Sequence, residues 1–146
     1  MYKRQGHDLP GLGVSMGNPH LVCLTDVSVD GLDLSVQPRV NPSMFPDGVN
    51  VEVVNVLAAE DAPEGAHAHI RLRVHERGVG ETRSCGTGAC AAAYAALVAG
   101  DRTTGTVAVD VPGGRLTVEL TGRTTVLSGP AVVVSAGVLT EEWLGA

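Results

Sequence analysis

The stretch ERGVGETRSCGTGACAAAYAALVAG, residues 76–100, concentrates the residue types best able to do chemistry in this chain. A single cysteine, Cys85, stands between glycine-containing turns, and the sequence then runs straight into alanines. Alanine is the strongest helix former, so a helix is expected to start at Gly86, with Gly100 as its left-handed C-terminal cap. Cys85 would then sit just before the first turn. Peptide N–H groups there have no intrahelical acceptor, and the helix dipole favours negative charge. A thiolate or a bound carboxylate is favoured at such a place. Gly86 and Gly88 lack Cβ atoms, so the backbone can come close to a ligand. The N–H groups of Gly86 and Thr87, with the Thr87 hydroxyl, could hold a small carboxylate. The segment is not a phosphate-binding P-loop, because Ala89-Cys90 follows Gly88 where Lys-Ser/Thr would be needed.

Three roles for Cys85 are open on the residues alone. It could be a small buried hydrophobe, although that needs no surrounding glycines. It could be a covalent nucleophile, which calls for a histidine base and an oxyanion hole. It could be a base for a weak carbon acid held beside it. Glu76 and Arg77, just upstream at a strand end, suit a zwitterionic ligand, with the carboxylate for an amine and the guanidinium for a carboxylate. The plainer reading of that dipeptide is a surface ion pair. Asn18, before a proline, reads alone as a turn former, and Asn50 as an edge-strand residue.

The elements that must position these residues follow from pattern. Residues 11–26, GLGVSMGNPHLVCLTD, read as two short strands about a Gly-Asn-Pro break. Residues 30–47 hold three prolines and read as loop or a short helical turn. VNVEVVNVL is strand-like. HIRLRVH alternates, placing Ile70, Leu72 and Val74 on one face and Arg71, Arg73 and His75 on the other, as in a half-buried strand. The helix after Cys85 is apolar all round and should be buried. TVAVDV and RLTVEL flank a Pro-Gly-Gly turn and form a hairpin. RTTVL and AVVVSAGV read as two further strands, and Thr140 as the cap of a short C-terminal turn, EEWL. Cys23 falls in a core strand and Cys90 in the helix core. The sum is a single α/β (α+β) domain of about seven or eight mostly antiparallel strands wrapped around one central helix. Residues 1–10 read as a terminal segment outside that domain, with Met1 to Gln5 fitting no periodic pattern, and residues 11–146 as the domain itself.

Composition bounds the rest. Apolar residues make up 44% of 146 residues, enough for one core, while aromatics make up only 3%. Valine, leucine and alanine must therefore fill it. The formal charge is −6, and the basic residues are scattered, which argues against nucleic acid. The longest apolar stretch is too short to span a bilayer, and MYKRQGHDLP has no apolar signal region. A cytoplasmic protein with reduced cysteines is expected. Cys85 and Cys90 are close but Cys23 is remote, and the histidines are scattered, so no metal site is expected.

MGNPH (residues 16–20), GVNVEVV (residues 48–54) and ERGVGETRSCGTGACAA (residues 76–92) occur in this order and spacing in diaminopimelate epimerases. The chain resembles the C-terminal half of that family, from about Gly11 to Gly137. The resemblance implies two similar α/β lobes, each a set of strands around a central helix, with the substrate between them. It implies interconversion of LL- and meso-diaminopimelate without cofactor or metal, as a step in lysine and peptidoglycan-precursor synthesis. Two cysteines face opposite sides of one α-carbon; one removes the proton and the other returns one.

By position, Cys85 resembles the C-terminal-lobe catalytic cysteine, and Gly86 and Thr87 the helix-end groups that bind the reacting α-carboxylate. Asn18, Asn50 and Arg77 resemble substrate contacts serving mainly the distal, non-reacting end. Glu76 resembles a substrate contact that also influences cysteine ionisation, and His20 a residue in that second role. The family's other cysteine, with its Cys-Gly-Asn-Gly type turn, has no counterpart here. The chain alone is therefore expected not to complete epimerisation. It would need the N-terminal lobe, in cis or from a separate chain, and would expose an apolar face meant for it. A homodimer of the full-length enzyme fits the same expectation. Two alternatives are a racemase or epimerase of another amino acid on the same fold, and a non-catalytic module that kept the fold.

Overall fold

The computed structural model describes residues 2–4 and 7–145. Met1, Gln5, Gly6 and Ala146 lie outside the described residues, so the reading of Met1 to Gln5 falls partly beyond them. Strands β1 (Tyr2–Arg4) and β2 (His7–Leu9) pair with each other as a separate antiparallel ribbon.

Among the described residues, eight strands form the main sheet. They are β3 (Leu12–Ser15), β4 (Pro19–Leu24), β5 (Asn50–Val56), β6 (Ala68–Glu76), β7 (Gly80–Thr82), β8 (Gly105–Val111), β9 (Gly114–Leu120) and β10 (Thr125–Ser128). The spatial order is β10-β9-β8-β6-β5-β4-β3, with β7 also paired to β6. Two pairs are parallel, β4 with β5 and β6 with β8. A parallel pair needs a crossover, and each crossover here covers one face of the sheet. Helix α1 (Gly86–Ala99) crosses from β7 to β8 on one side, and the segment of residues 25–49 crosses from β4 to β5 on the other.

Strand periodicity then sorts the side chains. Val22, Val54, Ile70 and Leu72 pack on α1 with Val107, Val109 and Val118. Leu21, Cys23, Val51 and Val53 pack beneath the crossover segment with Val29, Leu32 and Leu34. Alanines at 89, 91, 92 and 93 are fully buried, so the helix lies close against the sheet. Its exposed residues include Tyr94 and Val98, one turn apart. A short helix α2 (Glu141–Leu144) follows Thr140, whose hydroxyl caps it by accepting the N–H of Trp143. Among the described residues no helix is long and apolar enough to cross a membrane.

Three expectations are corrected. The polar face of β6 is covered rather than open. Arg73 donates to the carbonyls of Val29 and Leu32, both at 2.6 Å, and His75 Nδ1 lies 2.8 Å from the Leu34 carbonyl, so these side chains fasten the crossover segment down. Gly100 has φ −96°, and it is Asp101, at φ 57°, that adopts the left-handed conformation after the helix. Aspartate tolerates that region through its short polar side chain. Residues 131–138 form no strand: β10 is the last strand on that side of the sheet, and among the described residues none pairs with this stretch. Val132, Val133, Val134 and Val138 stand 79–94% exposed.

Candidate active site

Cys85 has extended backbone angles, φ −130° and ψ 113°, and its carbonyl accepts the Ala89 N–H at 2.8 Å, so it is the N-cap residue of α1. Its sulfur takes the place of the usual capping oxygen. Gly88 N–H donates to Cys85 Sγ at 3.4 Å, and the Thr87 hydroxyl lies 3.5 Å from the same sulfur. Cys85 is 8% exposed, while Gly86 and Thr87 face solvent. Helix geometry leaves the N–H groups of Gly86 and Thr87 without intrahelical acceptors. A Cβ at Gly86 would come within 3.2 Å of Leu127 Cδ2, the tip of an exposed side chain.

The remaining expected residues gather from the ends of β4, β5 and β6. His20 and Asn50 are register partners in the parallel β4–β5 pair, and β5 runs antiparallel to β6, which ends at Glu76. Asn18, in the turn before β4, places Nδ2 3.4 Å from Thr87 Oγ1 and Oδ1 3.1 Å from His20 Nε2. This links the β3–β4 turn to the helix start. Asn50 ties two further pieces together: its Nδ2 donates to the Pro19 carbonyl at 3.1 Å, and its Oδ1 accepts the Arg77 backbone N–H at 2.9 Å.

Glu76 and Arg77 do not pair with each other. The Thr82 hydroxyl donates to Glu76 Oε1, and Arg77 Nη1 donates to the Asp47 carbonyl at 3.1 Å. Glu76 is the last residue of β6 and Arg77 the first of the turn beyond it, and each side chain takes its own partner. The Arg77 stem lies over Gly48, whose φ of +80° and lack of a Cβ both suit the close approach.

Sequence reasoning missed Glu52. Its carboxyl is fully buried, with Oε1 2.6 Å from His20 Nδ1 and Oε2 unpartnered. Burial pushes the carboxyl up from its ordinary value, against the opposing pull of the His20 contact. The signal was present in VNVEVVNV, where the lone charge shares the parity of Asn50 and Val54 and so points at the helix. Gly88 is matched to it, because a Cβ at Gly88 would stand 2.7 Å from Glu52 Oε1.

The other thiols lie in the packing. Cys90 is on the buried side of α1, where burial, and then the neighbouring Cys85, push its thiol up. Cys23 lies in the cluster beneath the crossover segment. No disulfide involves Cys23, Cys85 or Cys90. Among the described residues no group of three or more His, Cys, Asp or Glu side chains could hold a metal ion.

Chemically, the site offers one sulfur with the Gly88 N–H and the Thr87 hydroxyl in reach, and Asn18 joined to it through Thr87, while Asn50 and Arg77 form a linked group at the ends of β5 and β6. The family model for diaminopimelate epimerase matches residues 12–134. A diaminopimelate epimerase of Mycobacterium avium (strain 104) is 49% identical over 142 residues, covering 94% of this chain and 46% of that protein. The one from Rhodococcus opacus (strain B4) is 47% identical over 137 residues, covering 91% and 45%. The chain thus spans about half the length of the curated relatives it matches. A family match over residues 12–134, joined to relatives nearly half identical along almost the whole chain, means that the chain belongs to the diaminopimelate epimerase family.

Proposed function

We propose that residues 11–146 are the C-terminal lobe of a two-lobed enzyme that interconverts LL- and meso-diaminopimelate without a cofactor. This chain supplies one of two cysteines. The observation that carries the reading is the position of Cys85 Sγ at the start of α1, with the Gly88 N–H and the Thr87 hydroxyl at 3.4 and 3.5 Å.

In one direction the α-carbon–hydrogen bond breaks and the proton passes to the Cys85 thiolate. The electron pair stays on the α-carbon and spreads into the carboxylate, which the N–H groups of Gly86 and Thr87 hold. A thiol from the other lobe then protonates the opposite face. Asn18, Asn50 and Arg77 hold the distal end of the substrate. Asn50 also positions Arg77 through its backbone contact and keeps one amide hydrogen free for the substrate. Glu76 contacts substrate and, with His20, tunes the ionisation of Cys85. Cysteines held outside disulfides fit a reducing compartment, the cytoplasm. A homodimer of the assembled enzyme belongs to the same reading, and size-exclusion chromatography of the reunited lobes tests it.

The test of the reaction supplies the N-terminal half of a relative and follows solvent deuterium into the α-position of diaminopimelate. The combined lobes should exchange and the chain alone should not. Cys85→Ala should slow exchange by about 10²–10⁴-fold, the range of a lost general base. Undiminished exchange in that variant would overturn the proposal. Preference for proline-type substrates in a panel would overturn the substrate assignment.

A further inference from the structure

We infer that Glu52 is a positioning residue that fixes the tautomer of His20 and thereby aims the Thr87 hydroxyl at the Cys85 sulfur. The inference rests on Cys85 being the acid–base group proposed above, but concerns a residue to which that proposal gives no role.

The hydrogen-bond chain runs from Glu52 Oε1 to His20 Nδ1 at 2.6 Å, then from His20 Nε2 to Asn18 Oδ1 at 3.1 Å. It continues from Asn18 Nδ2 to Thr87 Oγ1 at 3.4 Å and from Thr87 Oγ1 to Cys85 Sγ at 3.5 Å. Each donor role fixes the next. Asn18 turns its NH₂ toward Thr87, so its carbonyl oxygen faces His20. An acceptor there requires a hydrogen on Nε2. A neutral imidazole then has Nδ1 bare, and Nδ1 accepts the proton of the Glu52 carboxyl. At the other end, Thr87 Oγ1 already accepts from Asn18, which leaves its own hydrogen to point at Cys85 Sγ.

Burial makes the arrangement stable in one direction. His20 and Glu52 are both 0% exposed, and an ionised Glu52 would be a desolvated charge with Oε2 unpartnered. The groups facing the pair are Asn18 from the turn, Glu76 from β6, and Gly88 from α1, whose open side meets both Glu52 Oε1 and Cys85 Sγ. None is a fixed cation that would favour ionised Glu52. A carboxylic acid paired with a neutral imidazole adds no net charge beside a sulfur that must itself become an anion. Other polar pairs in the fold, such as His69 with Asp110 at 2.8 Å, have no such chain leading to a thiol.

The test reads Cys85 without substrate, so its failure is separate from failure of the epimerase reading. The rate of Cys85 alkylation by iodoacetamide at pH 7 is followed by peptide mass mapping, which resolves it from Cys23 and Cys90. Thr87→Val should slow it about tenfold, the worth of one hydrogen bond to a charged sulfur. Glu52→Leu should slow it similarly, and should add less than about twofold in the Thr87→Val background if both act through one chain. Glu52→Gln should stay within about twofold of the parent, because its amide N–H can donate to Nδ1 and keep the same tautomer.

If Glu52→Gln slows as much as Glu52→Leu, or if the effects of Glu52→Leu and Thr87→Val multiply, the inference is overturned. Should Glu52→Leu not fold, nitrogen-15 NMR of the unmodified chain decides. His20 must show a protonated Nε2 and a bare Nδ1; an imidazolium or an Nδ1-protonated ring overturns the inference.

Discussion

Asn50 shows how a residue expected at a ligand can also be a structural fastener. Its amide bridges the Pro19 carbonyl and the Arg77 N–H, so it holds the β4 start against the β6 end. Asn50→Ala leaves both partners short of a hydrogen bond and should cost about 1–3 kcal/mol in urea unfolding. Glu52 makes a prediction of sign. Burial holds its carboxyl above the ordinary value of 4.5. Between that value and the folded-state one, the folded chain keeps a proton that the unfolded chain has released. Its contribution therefore favours folding least at high pH: stability falls as pH rises above about 4.5 and through the folded value. Glu52→Gln carries no titrating proton and should lose this slope, which urea midpoints across a pH series would reveal. An unchanged slope would show that other groups cause it.

At the scale of elements, α1 is built from alanine because the sheet leaves no room for more. Residues 89, 91, 92 and 93 are fully buried and contact strands, while helix propensity alone would accept leucine at any of them. Ala92→Leu should destabilise the fold by about 1–3 kcal/mol, read as a lower urea midpoint with unchanged slope. The same closeness brings the Cys85 cap and the Glu52 carboxyl together over Gly88, where a methyl group would stand 2.7 Å from Glu52 Oε1 and 3.3 Å from Cys85 Sγ. Strand alternation and the helix start were legible here, because period and capping are local. The cover over β6 was not. HIRLRVH reads as one apolar and one polar face, and only the returning crossover segment turned that polar face into an anchoring surface.

For the molecule as a whole, the exposed valines of residues 131–138 are the main departure from expectation. Four consecutive apolar residues in open water form a template for association. The isolated chain should self-associate, as seen by light scattering, and Val133→Lys with Val134→Lys should reduce this without moving the thermal midpoint. Retained association in that pair would place the adhesive surface elsewhere, with Tyr94 and Val98 the next place to test.

What the residues alone determined is what depends on neighbours along the chain. The sulfur at a helix start, the glycines around it, the alternation of β5 and β6 and the hairpin at Pro112-Gly113 are all set by short-range sterics and periodicity. What only the tertiary structure decided is which distant groups meet. Glu52 and His20 are 32 residues apart in sequence, and Asn18 and Thr87 are 69 apart. Their contact follows from a parallel β4–β5 register and from a helix that can lie close because its side chains are methyl groups. Register and depth of packing are settled by burying the whole core at once, so strand parity could put the Glu52 carboxyl on one face of β5, but only the packed fold shows that it meets His20 and Gly88.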